Sequence, residues 1–265
     1  MPFRRVLLPV LFFFVASASV AASETPVPLV IEHGPRDGNK VALTFDACPT
    51  GSDDEYDEKV MAVLEREQVP ATLFLSGRWV EKNAEKAREI ASRPRFELGN
   101  HAYWHPHLTE KDDDRVLREL KRTQAIIRKM TGRRPTYFRP PYGEVDDRVA
   151  KLAKEAGLVT VQYDIASGDP DPALAPGRII GAVLGEARGG SIVVFHMNGK
   201  GVYTAEVLPA IIAGLRKKGY ELVTVGDLLK KPEARPPRKE TVTEARIPVK
   251  GILQVPKNEV GNTAE

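Results

Sequence analysis

Between residues 40 and 230, short apolar runs alternate with segments of helical period, and this pattern restricts the fold more tightly than any other feature of the chain. The runs lie at 41–45, 71–75, 96–99, 136–139, 159–164, 191–196 and 221–225. Between them are amphipathic stretches at 56–67, 79–92, 112–130, 145–156 and 206–218. Gly132, Gly157 and Gly219 follow the last three, where a helix end favours a left-handed residue. Strands alternating with helices predict an α/β fold with a parallel sheet and right-handed crossovers. Seven such units point to a barrel, complete or incomplete, rather than an open sheet. A chain of 265 residues has room for one sizeable core.

The two ends differ from this body. Residues 1–22 combine Arg4 and Arg5, an apolar run from Val6 to Phe14 and Val20-Ala21-Ala22, the pattern of a cleaved export signal. The apolar run is shorter than the roughly 20 residues needed to span a bilayer, so a periplasmic or secreted protein without a stable membrane span is expected. Residues 230–265 are rich in proline and charge and read as a disordered tail, either simply solvated or weakly tethered to an anionic wall. The formal charge is +3, and the tail beyond Leu229 holds eight basic against five acidic residues. The body therefore lacks the concentrated positive charge of a nucleic-acid-binding domain. Cys48 is the only cysteine, so no intramolecular disulfide forms, and a small buried hydrophobe is the expected role rather than a nucleophile.

Chemistry concentrates at the strand ends. Three of five histidines fall in Asn100-His101-Ala102-Tyr103-Trp104-His105-Pro106-His107, a crowding that reads as a metal site. His101 and His105 can converge on one ion across a turn, and Pro106 disfavours helix at His105. Asp46 follows the first run, Arg139 ends the fourth, Asp169 lies after the fifth and His196 ends the sixth. In a parallel α/β barrel these C-terminal ends open onto one face, where catalytic groups gather.

Five ordered motifs then carry a resemblance: Thr44-Phe45-Asp46-Ala47-Cys48-Pro49, the segment from His101 to His105, Arg139-Pro140-Pro141-Tyr142-Gly143, Ser167-Gly168-Asp169 and Val194-Phe195-His196-Met197. Over residues 38–229 they resemble the polysaccharide deacetylases with a NodB-type domain, the carbohydrate esterase family 4 type. The resemblance implies a distorted, incomplete (β/α)7 barrel and metal-dependent hydrolysis of N-acetyl groups on an N-acetylated polysaccharide or oligosaccharide. In this reading His101, His105 and Asp46 hold one divalent ion, zinc with cobalt or nickel as alternatives. Asp46 is the base, His196 the acid, and Arg139 and Asp169 the charges behind them; the Tyr142 backbone N–H holds the oxyanion. Alternatively, Arg139 and Asp169 form a structural ion pair. A monomer is expected.

Two departures bear on this reading. Ala47 stands where the family has a metal-ligating aspartate, so Asp46, Asp53, Asp54, Asp57, Asn198 or water would complete the shell. Asp57 also suits a helix N-cap. Pro170 stands where the family commonly has Trp and changes one groove wall. Of the aromatic residues, Trp104 and Tyr142 are candidates to stack on sugar rings, whereas Trp79 and Tyr103 are expected in the core. His107 is expected outside the metal shell and His33 in solvent. A catalytically silent glycan-binding protein and an O-acetyl polysaccharide esterase are the competing functions.

Overall fold

The computed structural model describes residues 29–49 and 56–230. The export signal at 1–22, the tail from 231 onward, Asp53 and Asp54 lie outside the described residues. Nine strands occur among them: β1 (Val30–Ile31), β2 (Lys40–Ala47), β3 (Ala71–Leu75), β4 (Phe96–Asn100), β5 (Tyr137–Phe138), β6 (Val159–Val161), β7 (Ile165–Ala166), β8 (Ile192–His196) and β9 (Glu221–Val223). The helices are α1 (Glu58–Arg66), α2 (Gly77–Lys82), α3 (Ala84–Ala91), α4 (Asp113–Thr131), α5 (Asp147–Glu155), α6 (Pro176–Glu186), α7 (Thr204–Lys217) and α8 (Val225–Leu229).

Every strand pairing is parallel, in the order β1-β6-β5-β4-β3-β2-β8-β7, with β9 joined to the start of β2. The connection from β6 to β7 forces curvature. β7 is one margin of this order and β6 lies beside the other, yet only Gln162, Tyr163 and Asp164 separate them. Four Cα steps from Val161 to Ile165 reach at most about 14 Å, so the two margins must meet and the sheet curls into a distorted (β/α)7 barrel. No ladder joins β1 to β7 among the described residues, so the barrel is incomplete. Asp164 anchors the crossing by accepting from Ile192 N (2.7 Å), Arg36 Nη2 (2.8 Å) and Ser191 Oγ (3.0 Å).

The pleat sorts side chains by parity. On β2, Val41, Leu43, Phe45 and Ala47 join the core beneath the helices, as do Val193, Phe195 and Met197 at β8. The alternate positions face inward. Ala42, Phe74, Val161, Ile192 and Val223 fill the lower barrel with apolar side chains. Above them Thr44, Asp46 and Arg139 are buried in the interior, so the upper barrel is polar.

Local signals explain the helix ends. Asp57 caps α1, accepting from Lys59 N and Val60 N at 3.0 Å each, and Asp112 and Asp146 cap α4 and α5. Gly132 ends α4 at φ 73°. The helix expected at 79–92 is two helices, because Asn83 sits at φ −110°, ψ 40° and its side-chain amide donates to Trp79 O. The strand expected at 159–164 is shorter: β6 stops at Val161, residues 162–164 form the crossing, and β7 begins beyond them at Ile165.

Gly99 lets the Phe74 ring lie across β4: a methyl there would overlap the ring, 2.7 Å from Cε1. Phe74 in turn lies 4.1 Å beneath the Arg139 guanidinium. Gly99→Ala is therefore expected to destabilise the protein by about 1–3 kcal/mol through overpacking. Urea unfolding would report it as a lower midpoint with the slope unchanged.

Candidate active site

The inward parity of β2 brings Asp46 to the upper rim, 5% exposed. Arg139, from the residue after β5, is fully buried and donates from Nη1 to Asp46 Oδ1 (2.9 Å) and Thr44 Oγ1 (2.7 Å), and from Nη2 to Gln162 O (3.2 Å). Burial alone would raise the Asp46 carboxyl, but the Arg139 charge, with His101 and His196, outweighs it and holds the group below its ordinary range. Arg139 and Asp169 thus do not pair with each other. Each backs a different catalytic candidate.

His101 continues the inward positions of β4. Its Nδ1 donates to the Arg139 carbonyl at 2.8 Å; because a carbonyl only accepts, Nε2 is the nitrogen that can give up its proton and present a lone pair. Nε2 lies 3.8 Å from Asp46 Oδ2 and 3.5 Å from Cys48 Sγ. The segment that follows is strained, with Ala102 at φ 57° and His105 at φ 59°. Each such residue costs roughly 1–2 kcal/mol, which surrounding bonds must offset. Asn100 Oδ1 accepts from Ala102 N (2.9 Å), and Glu119 Oε2 from Tyr103 N (2.8 Å) and Trp104 N (2.7 Å). Glu119, buried on α4 and paired with Arg115 at 2.8 Å, is a positioning residue that sequence reasoning missed. Its only sequence signal is an acid at an otherwise apolar face of the helix.

His196 ends β8 on the other side of Asp46 from His101, since β8 pairs with β2 and sets Asp46 beside His196. Its Nδ1 bonds Asp169 Oδ1 at 3.0 Å. Asp169 is fully buried and also accepts from His196 N, Ser167 Oγ and Thr204 Oγ1. Burial disfavours charge on His196, but the Asp169 hydrogen bond, aided by contact with Cys48, outweighs it and pushes the imidazole up to about 10. At neutral pH it is protonated and able to donate.

A cleft of about 260 Å³ is lined by Asp46, Cys48, His101, His105, Tyr142 and His196, with Tyr163, Pro170 and Lys200 on its walls. The His105 ring lies edge-on to Tyr142 at 4.5 Å, and His107 stacks on the outer side of Tyr142 at 4.0 Å. Trp104 is exposed but lines a neighbouring groove with α4 instead. Trp79 and Tyr103 are buried. His33 is exposed, and Asp57 is the α1 cap.

Cys48 is buried, as expected of a small hydrophobe, but its surroundings are polar: donor atoms of Cys48, His101 and His105 all lie within 4.8 Å of one another. Burial would raise the thiol, yet His101 and its neighbours pull it well below its ordinary value. Strand alternation was the available signal, because Cys48 stands two residues beyond Asp46 and so shares its face, whereas Ala47 does not. One sulfur and two imidazole nitrogens, one of them fixed by a backbone carbonyl, are a donor set suited to a zinc-like cation. Asp46 is outside this trio, and Asn198 uses its amide to donate to Cys48 O.

A sequence model for polysaccharide deacetylase matches residues 33–161. The chain is 31% identical over 208 residues to a peptidoglycan-N-acetylglucosamine deacetylase of Bacillus cereus, covering 77% of this chain and 95% of that protein. It is 34% identical over 178 residues to the uncharacterized protein YlxY of Bacillus subtilis, 66% of this chain but only 53% of that longer one. Among solved structures, BA3943 of Bacillus anthracis, described as a CE4 family pseudoenzyme, matches with a TM-score of 0.70 at 28% identity, covering 77% of this chain and 70% of that one.

Replacing Arg139 by Met leaves the Asp46 charge buried without its partner while keeping the main-chain carbonyl that holds His101. A loss of about 3–5 kcal/mol is expected, read by denaturant unfolding at neutral pH. Stability held by the lowered Asp46 carboxyl is present above its unfolded value and lost as pH falls through the folded one. The variant should therefore lose part of the wild-type stability difference on acidification.

Proposed function

This chain belongs to the polysaccharide deacetylase family, and on that footing we propose that it is a metal-dependent hydrolase removing N-acetyl groups from an extracytoplasmic glycan containing N-acetylglucosamine, peptidoglycan or a chitin-like oligomer. The observation that carries this reading is the presence, side by side in one cleft, of a carboxylate held ionised by Arg139 and an imidazole held protonated by Asp169. Amide hydrolysis needs both: a base to deprotonate water and an acid for the departing amine. A divalent cation held by His101 and His105 supplies Lewis acidity, polarising the acetyl carbonyl and making water easier to deprotonate.

The remaining work falls to the chain's own groups. Asp46 Oδ1 is engaged by Arg139, so Oδ2, toward His101, is the oxygen that accepts the proton. His196 is oriented through Nδ1 by Asp169, and its other ring nitrogen delivers a proton to the leaving amine. The Tyr142 backbone N–H, carried at φ 59° on the opposite lip, stabilises the developing oxyanion, and its exposed ring offers a face to the sugar. Among the described residues no helix is long and apolar enough to cross a membrane, and the export signal read at 1–22 would deliver the protein to the periplasm or beyond.

A second reading is a silent glycan-binding protein, favoured by Ala47 and by the similarity to BA3943. Acetate release separates the two. Protein supplied with zinc, cobalt or nickel is expected to release acetate from N-acetylated peptidoglycan or chitin oligomers, and Asp46→Asn or His196→Ala to lower kcat by roughly 10² to 10⁴. Saccharide affinity without turnover, unchanged in these variants, would favour the silent protein.

Asp169 gives a test by pH. The acid form of His196 is lost as pH rises through about 10, so the alkaline limb of kcat/KM lies there. Asp169→Asn removes the interaction that raises it, and the limb should move down toward the ordinary histidine range near 6.5. A limb that stays in place would show that another group supplies the proton.

A further inference from the structure

The position that the sequence leaves without a ligand at Ala47 is filled from the next residue: we infer that the Cys48 thiolate is the third protein ligand, so that the metal of this chain sits in a Cys-His-His site. The inference rests on the metal-dependent reading above and specifies its donor set. Three observations carry it.

The first is strand parity. β2 keeps its register with β3 through Ala47, paired with Leu75, and Ala47 is fully buried in the core beneath the helices. In this chain the side chain at 47 is spent on the core and offers no ligand. Residue 48 returns to the face of Thr44 and Asp46.

The second is distance. Zinc bonded to sulfur at about 2.3 Å and to nitrogen at about 2.0–2.1 Å in tetrahedral geometry separates the two donors by about 3.5 Å. Cys48 Sγ and His101 Nε2 are 3.5 Å apart. A thiolate–imidazolium hydrogen bond has a similar length, but it needs one imidazole. Here His105 brings a second nitrogen into the same group, within 4.8 Å of both.

The third is the outer scaffold. The Arg139 carbonyl fixes His101 with Nε2 turned toward Cys48, and the Asn198 amide holds the Cys48 carbonyl. Such partners orient metal ligands. Three protein ligands also leave a coordination position for substrate or water, as in catalytic rather than structural zinc sites.

The chemical consequence is a change of metal preference. Thiolate selects borderline and soft ions such as zinc and cobalt, whereas oxygen ligands suit magnesium, calcium and manganese.

The test uses cobalt, whose thiolate complexes absorb in the near ultraviolet. The metal-free full-length protein titrated with Co²⁺ should develop a sulfur-to-cobalt charge-transfer band at one ion per chain. The single thiol should become resistant to alkylation over the same titration; as Cys48 is the only cysteine, the labelling reports this site alone. Cys48→Ser should abolish the band and weaken cobalt binding by more than the roughly 10- to 100-fold typical of losing an outer hydrogen-bond partner. Cys48→Asp should bind without the band and shift preference toward manganese. Stoichiometric cobalt binding by the wild-type protein with no such band and an equally reactive thiol overturns the inference, as does an S-acetyl adduct of Cys48 formed during turnover by metal-free protein. The outcomes separate from those of the proposed activity. A band without acetate release keeps the ligand and removes the enzyme, whereas acetate release without a band keeps the enzyme and removes the ligand.

Discussion

The two-residue pleat of the parallel strands is the constraint on which the rest of this molecule depends. One face of each strand must satisfy the apolar underside of the helices, and the other must fill a barrel narrowing around Phe74. Lower down, inward polar groups such as Thr72 and Glu97 are satisfied by each other and by Gly226 N, and the groups left for chemistry gather near the C-terminal rim, where Asp46, His101 and His196 are found. The same rule excludes Ala47 and admits Cys48. The site is thus a by-product of strand parity meeting the end of each ladder, and its spacing follows from the spacing of the strands.

Within that frame the electrostatics divide the cleft into two sides. Arg139 stabilises negative charge on Asp46, while Asp169 stabilises positive charge on His196, so two ionisable groups near each other are driven to opposite protonation states. Both supporting residues are fully buried, where charge interactions are least screened. The histidine segment between them is less self-sufficient. Its left-handed residues are held by Glu119, which belongs to α4, so ligand geometry depends on a helix that contributes no ligand of its own.

Much of this was legible in the residues alone. All seven apolar runs became strands, because each couples an apolar period to a turn or helix start that propensity recognises. The short strands β1 and β7 were not legible: two residues carry no period, and the early end of the run at 159–164, with β7 starting at Ile165, is decided by the switch of partner from β5 to β8. The break at Asn83 and the missed α6, opened by Pro176 without a side-chain cap, have the same origin in tertiary context. Asp46, His101, His105 and His196 were readable as rim groups, and the cleft contains all four. Trp104 was read as a sugar platform, but the turn after His101 directs it to the groove beside α4. Cys48 was read as a small buried residue and is buried; its place beside His101 was not foreseen, because only alternation along β2 sets it on the face of Asp46. Glu119 lies far along the chain from the segment it braces, and no local pattern links them.

Arg139 contributes twice, its carbonyl to His101 at 2.8 Å and its guanidinium to Asp46 at 2.9 Å. A single residue therefore yokes a ligand and the base. A disturbance at the end of β5 reaches both of them at once. The acid is secured separately, since the ladder between β2 and β8 sets His196 beside Asp46, so a lesion at Arg139 would reach the ligand and the base while leaving the acid in its place.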